Sequence, residues 1–373
     1  MMAQIDPDSD GRSTGPSGPV VISVDAMGGD KGPGVVIAGL ADVAEADPGV
    51  SFIVHGPSDV LSRLIERRPG LAGRVTLRHA DAVVLMTDKP SHVMRNGQAT
   101  SMWAAIDAVR DGAAKAAVSC GNTGALMAVS MLRLRKLPGV NRPAIACLWP
   151  SRGPHGFNVM LDVGADIRAE APDLLQYALM GSSYARNGLG IPRPKVGLLN
   201  VGTEEHKGRA GLREAHDLIA AAAAEGGFDF VGFIEGGDLP SAGVNVIVTD
   251  GFTGNIALKT GEGTARLVGE FLREAFDAGL MSRFAALLAM NSLKRLQRRI
   301  DPRRVNGGVF LGLNGTVIKS HGAADETGVT AAVSLAAQLA RADFTARVAA
   351  RVAQAQAAGQ DAAEAGDRGG ATE

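Results

Sequence analysis

The residues with the clearest chemical potential form five short polar segments, each of which follows an apolar run. They read DAMGGD (25–30), SCGNTG (119–124), DVG (162–164), NVGTE (200–204) and TDGFTGN (249–255). Glycine lets the backbone approach a ligand closely, and the first turn of a helix presents unpaired N–H groups with partial positive charge. Residues 121–124 and 251–255 come just before predicted helices, so we predict that they bind a phosphate group or a developing oxyanion. Any single segment is explained equally well as a tight turn.

A sixth segment, LGLNGTVIKSHG (311–322), places Lys319 and His321 after a glycine-rich turn. Together with Lys207 and Lys259, Lys319 supplies positive charge that can neutralise an anion. The alternative interpretation of this segment is a hairpin at the edge of a sheet with a lysine on the surface. The aspartates that begin or end the polar loops are expected to organise them rather than to act as acids or bases: Asp25, Asp30, Asp162 and Asp250.

Several common catalytic and metal-binding motifs are absent from the sequence. There is no GxxxxGK[ST], HExxH or GxSxG, which argues against P-loop nucleotide hydrolysis, zincin proteolysis and a serine nucleophile elbow. The glycines of the first polar turn do not match GxGxxG, and the seven histidines are scattered. Cys120 and Cys147 are the only cysteines and form no CxxC pair. We therefore expect neither a metal site nor a cofactor.

Charge and hydropathy argue against two further classes of protein. Lys plus Arg number 38 and Asp plus Glu 39, so no overall basic field exists to attract nucleic acid. The longest run without a charged residue, 116–132, contains glycine and polar residues and is shorter than a typical membrane helix. Residues 1–19 lack the apolar core of a secretory signal, so we expect a cytoplasmic protein.

The elements that must position the loops follow one recurring order, in which an apolar run is followed by a polar cluster and then by a helical stretch. This order is typical of a parallel sheet with crossover helices, whose strands are buried on both faces. The carboxyl ends of such strands line the ligand crevice, so loops distant in the sequence can meet there. We predict one catalytic domain over 20–351, with a disordered tail over 1–19 and a flexible tail over 352–373.

The individual elements are predicted from the length and spacing of the apolar residues. Strands are predicted at 20–24, 52–54, 116–118, 144–148, 159–163, 196–199, 230–233 and 244–248. Helices are predicted at 34–46, 101–112, 124–135, 172–187, 209–224, 253–279 and 326–351.

One further segment combines apolar and basic residues. An apolar stretch with Phe284, Leu287 and Leu288 precedes KRLQRRIDPRR (294–304), which carries six positive charges and one negative. We predict a basic amphipathic helical element over 280–304. It suits contact with an anionic membrane or an acidic carrier protein, and it suits equally well a dimer-interface helix with a solvated basic flank. The residues predicted to make the membrane or carrier contact are Lys294, Arg295, Arg298 and Arg299.

Six motifs occur in a fixed order along the chain: VDAMGGD, GNTGALMA, LDVGAD, LLNVGTEEHKG, TDGFTGN and GLNGTVIKSHG. In order and wording they resemble the PlsX-type phosphate acyltransferases of bacterial phospholipid synthesis, from about residue 20 to about residue 341. The resemblance implies an α/β fold, a three-layer α/β/α sandwich with a mostly parallel sheet, similar to phosphotransacetylases and isocitrate dehydrogenases. It implies transfer of a fatty acyl group from acyl carrier protein to inorganic phosphate, which gives acyl phosphate. It also implies a homodimer, with loose contact to an anionic membrane and to the membrane acyltransferase that uses acyl phosphate.

The resemblance also implies roles for individual residues, with Lys207 of TEEHKG and Asn255 of TDGFTGN as the catalytic pair. The proposed reaction needs no strong base or metal, because phosphate is largely dianionic near neutral pH and a thiol is a good leaving group. Backbone N–H groups, asparagine amides and lysines are suited to hold the phosphate and the oxyanion. Substrate and phosphate binding is assigned to Asp25, Gly28, Gly29, Gly121, Asn122, Thr123, Gly124, Asp162, Gly164, Asn200, Gly202, Thr203, Glu204, Asp250, Gly251, Thr253, Gly254, Lys259, Asn314, Lys319 and His321.

The sequence departs from the family pattern at three places. Cys120 stands where alanine is usual, Asp166 stands where asparagine is expected, and 307–310 reads GGVF in place of a GGAP-like segment. None of these changes removes a polar group assigned to the chemistry. Because phosphate can attack a thioester directly, we do not expect Cys120 to carry an acyl group.

Two other functions are weighed against acyl transfer from a carrier protein. A short-chain phosphotransacetylase that uses coenzyme A would share the fold and the phosphate site, but it needs no extended apolar groove. A non-catalytic peripheral membrane scaffold built on the basic element would leave the five polar loops without a role.

Overall fold

Within the described residues, eleven strands form a single sheet, and three of them carry no long apolar run. The computed structural model describes residues 19–204, 206–300 and 307–353, without the side chains of Leu280 and 294–300. The strands are β1 (Val20–Asp25), β2 (Val50–Gly56), β3 (Val75–His79), β4 (Ala116–Ser119), β5 (Ala144–Pro150), β6 (Phe157–Leu161), β7 (Lys195–Leu199), β8 (Asp229–Ile234), β9 (Val246–Val248), β10 (Gly308–Leu311) and β11 (Thr316–Lys319).

Helices cover both faces of this sheet and make a three-layer α/β/α sandwich, which confirms the predicted fold class. They are α1 (Pro33–Ala46), α2 (Ser58–Glu66), α3 (Pro90–Asn96), α4 (Ser101–Arg110), α5 (Thr123–Leu134), α6 (Ala171–Leu189), α7 (Ala210–Gly226), α8 (Gly251–Asp277), α9 (Leu280–Ile300) and α10 (Glu326–Arg341), and 344–353 is helical as well. One apolar layer includes Leu40 of α1, Tyr177 of α6 and Val333 of α10. The opposite layer includes Trp103 of α4 and Leu126 of α5. Because successive strand residues point to opposite faces, the sheet supplies apolar side chains to both layers.

The two halves of the sheet run in opposite directions. The strand order is β3-β2-β1-β4-β11-β10-β5-β6-β9-β7-β8, and the first five strands are parallel to one another, as are the last four. Between these sets, β10 and β5 are each antiparallel to both neighbours. In the register, Lys319 lies opposite Gly308, Val309 opposite Ala146, and Ala146 opposite Leu161. The loops after β4 and β11 therefore face the loop after β6 near the middle of the sheet.

All eight predicted strands occur, with ends within two residues of the prediction. Three strands were not predicted. β3 lies at the edge and has exposed polar residues such as His79, while β10 and β11 are only four residues long each. The alternative of an edge hairpin with a surface lysine is wrong, because the β10–β11 hairpin lies between β4 and β5 and Lys319 is buried.

The seven predicted helices also occur, but one of them is interrupted and another begins two residues earlier than predicted. The last one, predicted over 326–351, is interrupted after Arg341 where Asp343 has a positive φ of 51°. The helix predicted to begin at 253 begins at Gly251, so residues 251–255 form its first turn rather than a preceding loop. Helices α2 and α3 were not predicted, since each is short and polar.

Some of the predicted segments include residues that the structure does not describe. Residues 280–300 form α9, as predicted for the segment 280–304, but 301–304 and the side chains of Lys294, Arg295, Arg298 and Arg299 lie outside the described residues. The same is true of 1–18 and 354–373, which make up most of the two predicted tails. None of the helices in the described ranges is both long and apolar enough to cross a membrane.

Candidate active site

A cavity of about 380 Å³ lies where the two halves of the sheet meet. This volume is within the range of small-molecule sites. Five parts of the protein build it, namely the first turn of α5, β5, the loop after β6, α8, and the paired start of β10 and end of β11. The lining residues are Thr123, Gly124, Ile145, Cys147, Leu148, Val163, Gly164, Asn255, Leu258, Lys259, Glu262, Gly307, Gly308, Lys319, Ser320 and His321.

Lys319 ends β11 and places a buried ammonium group in this cavity. Its Nζ donates to the carbonyl oxygen of Cys120 at 3.4 Å and to that of Ser320, and it forms no ion pair within the described residues. Burial lowers the pKa of Lys319 to about 8, even though Cys120 and Asp30 favour its charged form. A buried cation that contacts carbonyl groups but no carboxylate is stabilised by an anion that enters beside it.

Helix α8 presents one face to the cavity through Asn255, Leu258, Lys259 and Glu262. Residues three, four and seven positions apart lie on one side of a helix, which explains why these four converge. Nζ of Lys259 lies 2.8 Å from Oε2 of Glu262. In the described part of the chain, no group forms a hydrogen bond with the side-chain amide of Asn255, so this amide is available to a ligand.

His321 lies beside this face of α8. Its Nδ1 accepts a hydrogen bond from the N–H of Ala323 at 3.1 Å. Burial lowers the pKa of His321, and the charge of Lys259 lowers it further. His321 is therefore favoured as the neutral imidazole, and the positive charge of the cavity comes from Lys259 and Lys319.

The first turn of α5 offers backbone donors to the cavity. Oδ1 of Asn122 caps this helix by accepting from the N–H three residues later at 3.0 Å, and its Nδ2 donates to the carbonyl oxygens of Met86 and Asp88 at 2.9 and 3.0 Å. Both ends of the Asn122 amide are thus used to shape the loop. Thr123 and Gly124 line the cavity, and no described group accepts from their N–H groups. The segment 121–124, which was predicted to bind an anion, thus has, within the described residues, two unpaired backbone N–H groups at the cavity.

Asp25 and the glycines that follow it connect the first strand to the loop after β4. The Asp25 carboxylate is buried and accepts hydrogen bonds from Ser101 at 2.6 Å and Ser119 at 2.7 Å. Burial raises the pKa of Asp25, while these hydrogen bonds lower it. A Cβ on Gly28 would lie 2.5 Å from Oδ2 of Asp25 and 2.7 Å from the nitrogen of Gly121, so only glycine fits. These contacts join two loops beside the cavity.

Asp162 holds the loop after β6 in place through hydrogen bonds, as Asp25 does for the loop after β1. Its carboxylate accepts hydrogen bonds from the N–H groups of Ile145 at 2.9 Å, Gly164 at 3.2 Å and Asp166 at 2.6 Å. Burial raises the pKa of Asp162, and the hydrogen bonds oppose that shift. A Cβ on Gly251 would lie 2.6 Å from Oδ2 of Asp162, so the start of α8 packs directly on this loop.

The family departure at Asp166 lies away from the cavity lining. Its buried carboxylate is 3.3 Å from the guanidinium of Arg142 and accepts a 3.4 Å hydrogen bond from Tyr177. The negative charge that Asp166 adds is therefore compensated locally by Arg142.

The first turn of α8 corrects the prediction of a second anion-binding loop at 251–255. The Asp250 carboxylate accepts from the N–H of Thr253 at 2.8 Å, and the N–H of Gly254 donates to the Asp250 carbonyl at 2.9 Å. The N–H of Gly251 donates to the Asp166 carbonyl at 2.8 Å. These backbone donors are already used, and a carboxylate lies at the positive end of the helix. Of this segment, only Asn255 lines the cavity.

Lys207 lies in the exposed loop that follows β7. Nδ2 of Asn200 donates to the carbonyl oxygens of Gly202 at 3.1 Å and Lys207 at 3.2 Å, which holds the loop closed. Nζ of Lys207 is 2.8 Å from Oε1 of Glu204, and the two side chains are 44% and 49% exposed. This contact with Glu204 raises the pKa of Lys207. The structure does not bring Lys207 to the cavity that contains Asn255.

Asn314 is also remote from the cavity. It lies in the turn between β10 and β11, at the opposite end of β11 from Lys319, and its N–H donates to the carbonyl oxygen of Arg135 at 3.0 Å.

The predicted site residues thus divide into two groups. Those that line the cavity are Thr123, Gly124, Gly164, Asn255, Lys259, Lys319 and His321. Those that do not line it are Asp25, Gly28, Gly29, Gly121, Asn122, Asp162, Asn200, Gly202, Thr203, Glu204, Lys207, Asp250, Gly251, Thr253, Gly254 and Asn314.

Sequence reasoning missed Glu262 and the apolar wall formed by Ile145, Leu148, Val163 and Leu258. The wall could not be distinguished from ordinary core residues by pattern. Glu262 could have been found, because its spacing from Asn255 and Lys259 in a predicted helix places all three on one face.

Comparisons with known proteins identify the family of this chain. The family model described as a fatty acid synthesis protein matches residues 20–347. The phosphate acyltransferase of Paracoccus denitrificans (strain Pd 1222) is 68% identical over 357 residues, which cover 96% of each chain. That of Cereibacter sphaeroides (strain ATCC 17029) is 68% identical over 351 residues, which cover 94% of this chain and 95% of the relative. The chain belongs to the PlsX-type phosphate acyltransferase family. It is therefore an acyl-transferring enzyme, and the alternative of a non-catalytic scaffold does not agree with this membership.

Solved structures show the same fold. A phosphotransacetylase from Streptococcus pyogenes matches with a TM-score of 0.58 at 16% identity and covers 86% of this chain and 94% of its own. The EutD phosphotransacetylase from Staphylococcus aureus matches with a TM-score of 0.55 at 16% identity and with the same coverage. At this identity the likeness establishes the fold alone, and it agrees with the sandwich that the motifs implied.

Proposed function

We propose that this enzyme transfers a fatty acyl group from acyl carrier protein to inorganic phosphate, a step of phospholipid synthesis on the route to phosphatidic acid. The observation that carries the proposal is one cavity in which anion-binding groups face an apolar wall. Phosphate and a thioester carbonyl both require positive electrostatic potential, whereas an acyl chain requires apolar surface. Membership in the phosphate acyltransferase family supports the same reaction.

The charged groups suit direct attack by phosphate. Lys319 and Lys259 neutralise the bound phosphate, and the amide of Asn255 orients it. A phosphate oxygen then forms a bond to the thioester carbonyl carbon, and the N–H groups of Thr123 and Gly124 stabilise the resulting oxyanion. The carbon–sulfur bond breaks and the carrier leaves as a thiolate, which gains, through water, the proton that hydrogen phosphate releases as acyl phosphate forms. No acyl-enzyme intermediate is required.

The apolar wall accounts for the acyl end of the substrate. Ile145, Leu148, Val163 and Leu258 lie in the same cavity as the two lysines. A volume of about 380 Å³ equals that of roughly a dozen water molecules at about 30 Å³ each. This space suits the phosphate and the thioester end of the chain, so the remainder of a long acyl chain extends beyond it.

The test is to incubate the purified full chain with palmitoyl-acyl carrier protein and phosphate and to detect acyl phosphate by mass spectrometry. We expect acyl phosphate and free carrier in equal amounts, and none when phosphate is omitted. Parallel reactions with palmitoyl-coenzyme A and acetyl-coenzyme A compare the donors. Efficient use of acetyl-coenzyme A with no reaction of the carrier thioester would overturn the proposal in favour of a short-chain phosphotransacetylase.

We also propose a cytoplasmic homodimer that pairs through the apolar surface of α8 and α9. Phe271, Phe284, Leu287 and Leu288 are exposed by 58%, 58%, 64% and 75%, respectively. Burial of such side chains against a second copy gains about 25 cal/mol per Å². A dimer mass in light scattering supports this pairing. A monomer at micromolar concentration contradicts it.

We propose that the basic end of α9 contacts the membrane and, at the membrane, the acyltransferase that uses acyl phosphate. Replacing Lys294, Arg295, Arg298 and Arg299 with glutamine should reduce co-sedimentation with anionic vesicles at low salt, because each basic residue near the surface contributes about 1 kcal/mol. Vesicle binding like that of wild type, with a raised KM for acyl carrier protein, would indicate a carrier-docking surface instead. Loss of the dimer would indicate a dimer-interface role.

A further inference from the structure

Glu262 is the single carboxylate among the described residues that line the cavity. It shares the cavity face of α8 with Asn255 and Lys259, and its side chain is 25% exposed. One of its oxygens, Oε2, contacts Lys259 at 2.8 Å, whereas Oε1 has no partner among the described residues. A cavity that must accept an anion therefore contains a carboxylate with one free acceptor oxygen.

The position of the Glu262 carboxylate is unfavourable for the binding of an anion that carries no proton. An ionised carboxylate accepts hydrogen bonds and donates none, so it repels any ligand oxygen that carries only lone pairs. Near neutral pH hydrogen phosphate keeps one P–O–H group, whereas sulfate of the same charge and similar shape has no proton. A carboxylate in the site can therefore accept a hydrogen bond from phosphate but not from sulfate.

We propose that Glu262 selects phosphate over sulfate by accepting a hydrogen bond from the proton of hydrogen phosphate. Lys259 and Lys319 attract either dianion, and Glu262 makes the distinction between them. This inference rests on the proposed function, in which phosphate is the acyl acceptor. Selection protects the enzyme from occupation of its site by an abundant anion that would give no useful product.

The surroundings of Glu262 support this role. Lys259 holds Oε2, which leaves Oε1 as the oxygen able to face a ligand. Its charge also reaches the apolar wall, since burial raises the pKa of the Cys147 thiol and the Glu262 carboxylate adds to that increase. Glu262 and Cys147 both line the cavity, so the carboxylate is close enough to act on a ligand bound there.

The experiment measures binding of phosphate, arsenate and sulfate to the full chain by calorimetry. Arsenate keeps a proton as phosphate does, so it separates the effect of the proton from that of anion size. We expect wild type to bind phosphate and arsenate at least about tenfold more tightly than sulfate. In Glu262→Gln this preference should fall by about tenfold, because the amide can donate to a sulfate oxygen.

Two further variants serve as controls. Glu274→Gln removes an exposed carboxylate from the same helix outside the cavity and should keep the preference of wild type. Lys259→Met removes a positive charge that attracts each anion, so it should weaken the binding of all three and serves as the control for a change in charge. If Glu262→Gln does not fold, as judged by its circular dichroism spectrum, Glu262→Ala is measured instead, and it should lose the phosphate preference because it removes the acceptor oxygen.

The proposal is overturned if Glu262→Gln changes the affinities of all three anions by the same factor, because Glu262 would then only position Lys259 or lower the local potential. It is also overturned if Glu274→Gln lowers the phosphate-to-sulfate ratio as much as Glu262→Gln does. Acyl phosphate formation is measured on the same samples. If the enzyme prefers phosphate to sulfate but forms no acyl phosphate, only the proposed function is contradicted. If it forms acyl phosphate but binds sulfate as tightly as phosphate, only the Glu262 inference is contradicted.

Discussion

Lys319 and Lys207 both belong to family-like motifs, but the fold places them in opposite environments. Lys319 is 9% exposed at the centre of the sheet, and its ammonium contacts carbonyl oxygens. Lys207 is in a surface loop and is paired with Glu204 at 2.8 Å. Burial lowers the pKa of the first to about 8, whereas the carboxylate raises that of the second. A lysine attracts a ligand most strongly where the protein itself does not provide its counter-ion.

The largest effect is expected from replacement of the buried lysine. Lys319→Met should lower kcat/KM for phosphate by about 10²- to 10³-fold, because it removes the buried positive charge of the cavity. Methionine has a similar length and needs no hydrogen bond, so the melting temperature should not fall. Rates of acyl phosphate formation over a range of phosphate concentrations measure this effect. A loss of less than tenfold would show that Lys319 is not the principal phosphate-binding group.

Asn255→Ala is expected to have the next largest effect. Its amide lines the cavity and has no partner among the described side chains, so its loss should reduce kcat about 10²-fold with little change in stability. Single-turnover rates with palmitoyl-acyl carrier protein provide the measurement. An unchanged rate would leave Asn255 only a structural role in the first turn of α8.

The pH dependence of phosphate use tests the environment of Lys319 directly. Below about pH 8 its ammonium group is charged and attracts phosphate, and above that pH the amine becomes neutral. kcat/KM for phosphate should therefore fall as pH rises, by about tenfold at one unit above the pKa. Lys207, with a raised pKa, stays charged over this range. The decline should be absent in Lys319→Met, and its persistence there would assign it to another group.

Lys207→Ala should lower kcat/KM by less than tenfold, because Lys207 is exposed and lies outside the cavity lining. Glu204→Gln is the matched variant, since it leaves Lys207 without its counter-ion. Steady-state rates with both substrates measure the two effects. A loss as large as that of Lys319→Met would show that the loop reaches the cavity during turnover, which would give Lys207 the catalytic role that family resemblance implies.

The smallest effect is expected at Cys120, whose carbonyl oxygen accepts a hydrogen bond from Lys319. Cys120 is 4% exposed and burial raises its pKa, so it is a poor nucleophile. Cys120→Ala should retain most of the activity in the standard acyl phosphate assay. Detection of an acyl group on Cys120 by mass spectrometry of the quenched enzyme would contradict direct attack by phosphate.

Much of the fold could be predicted because buried strands have a local pattern. The apolar runs located eight strands, and the intervening helices followed from periodicity. The short strands β10 and β11 could not be recognised, since Gly308 and the turn around Asn314 read as a glycine-rich loop. Yet these two strands lie at the centre of the sheet and carry Lys319 into the cavity.

The candidate site was predicted only in part, for a related reason. Residue types identified the polar loops and the set of lysines, but they could not show which polar groups would be consumed by the fold. Asn122 and Asp250 had the chemistry of ligand-binding residues, and the structure uses both as helix caps. Such competition between backbone and ligand depends on distances that a sequence does not contain.

By itself the sequence determined eight of the eleven described strands, the glycine-rich turns and the family, because each depends on neighbouring residues or on the order of motifs. Only the tertiary structure decided which loops meet. β4 and β11 approach the cavity from one direction and β6 from the other, and the antiparallel strands β10 and β5 set that reversal through pairings between residues far apart in the chain. Burial of Lys319 and exposure of Lys207 follow from this register, since a side chain's electrostatic environment is a property of all the elements packed around it.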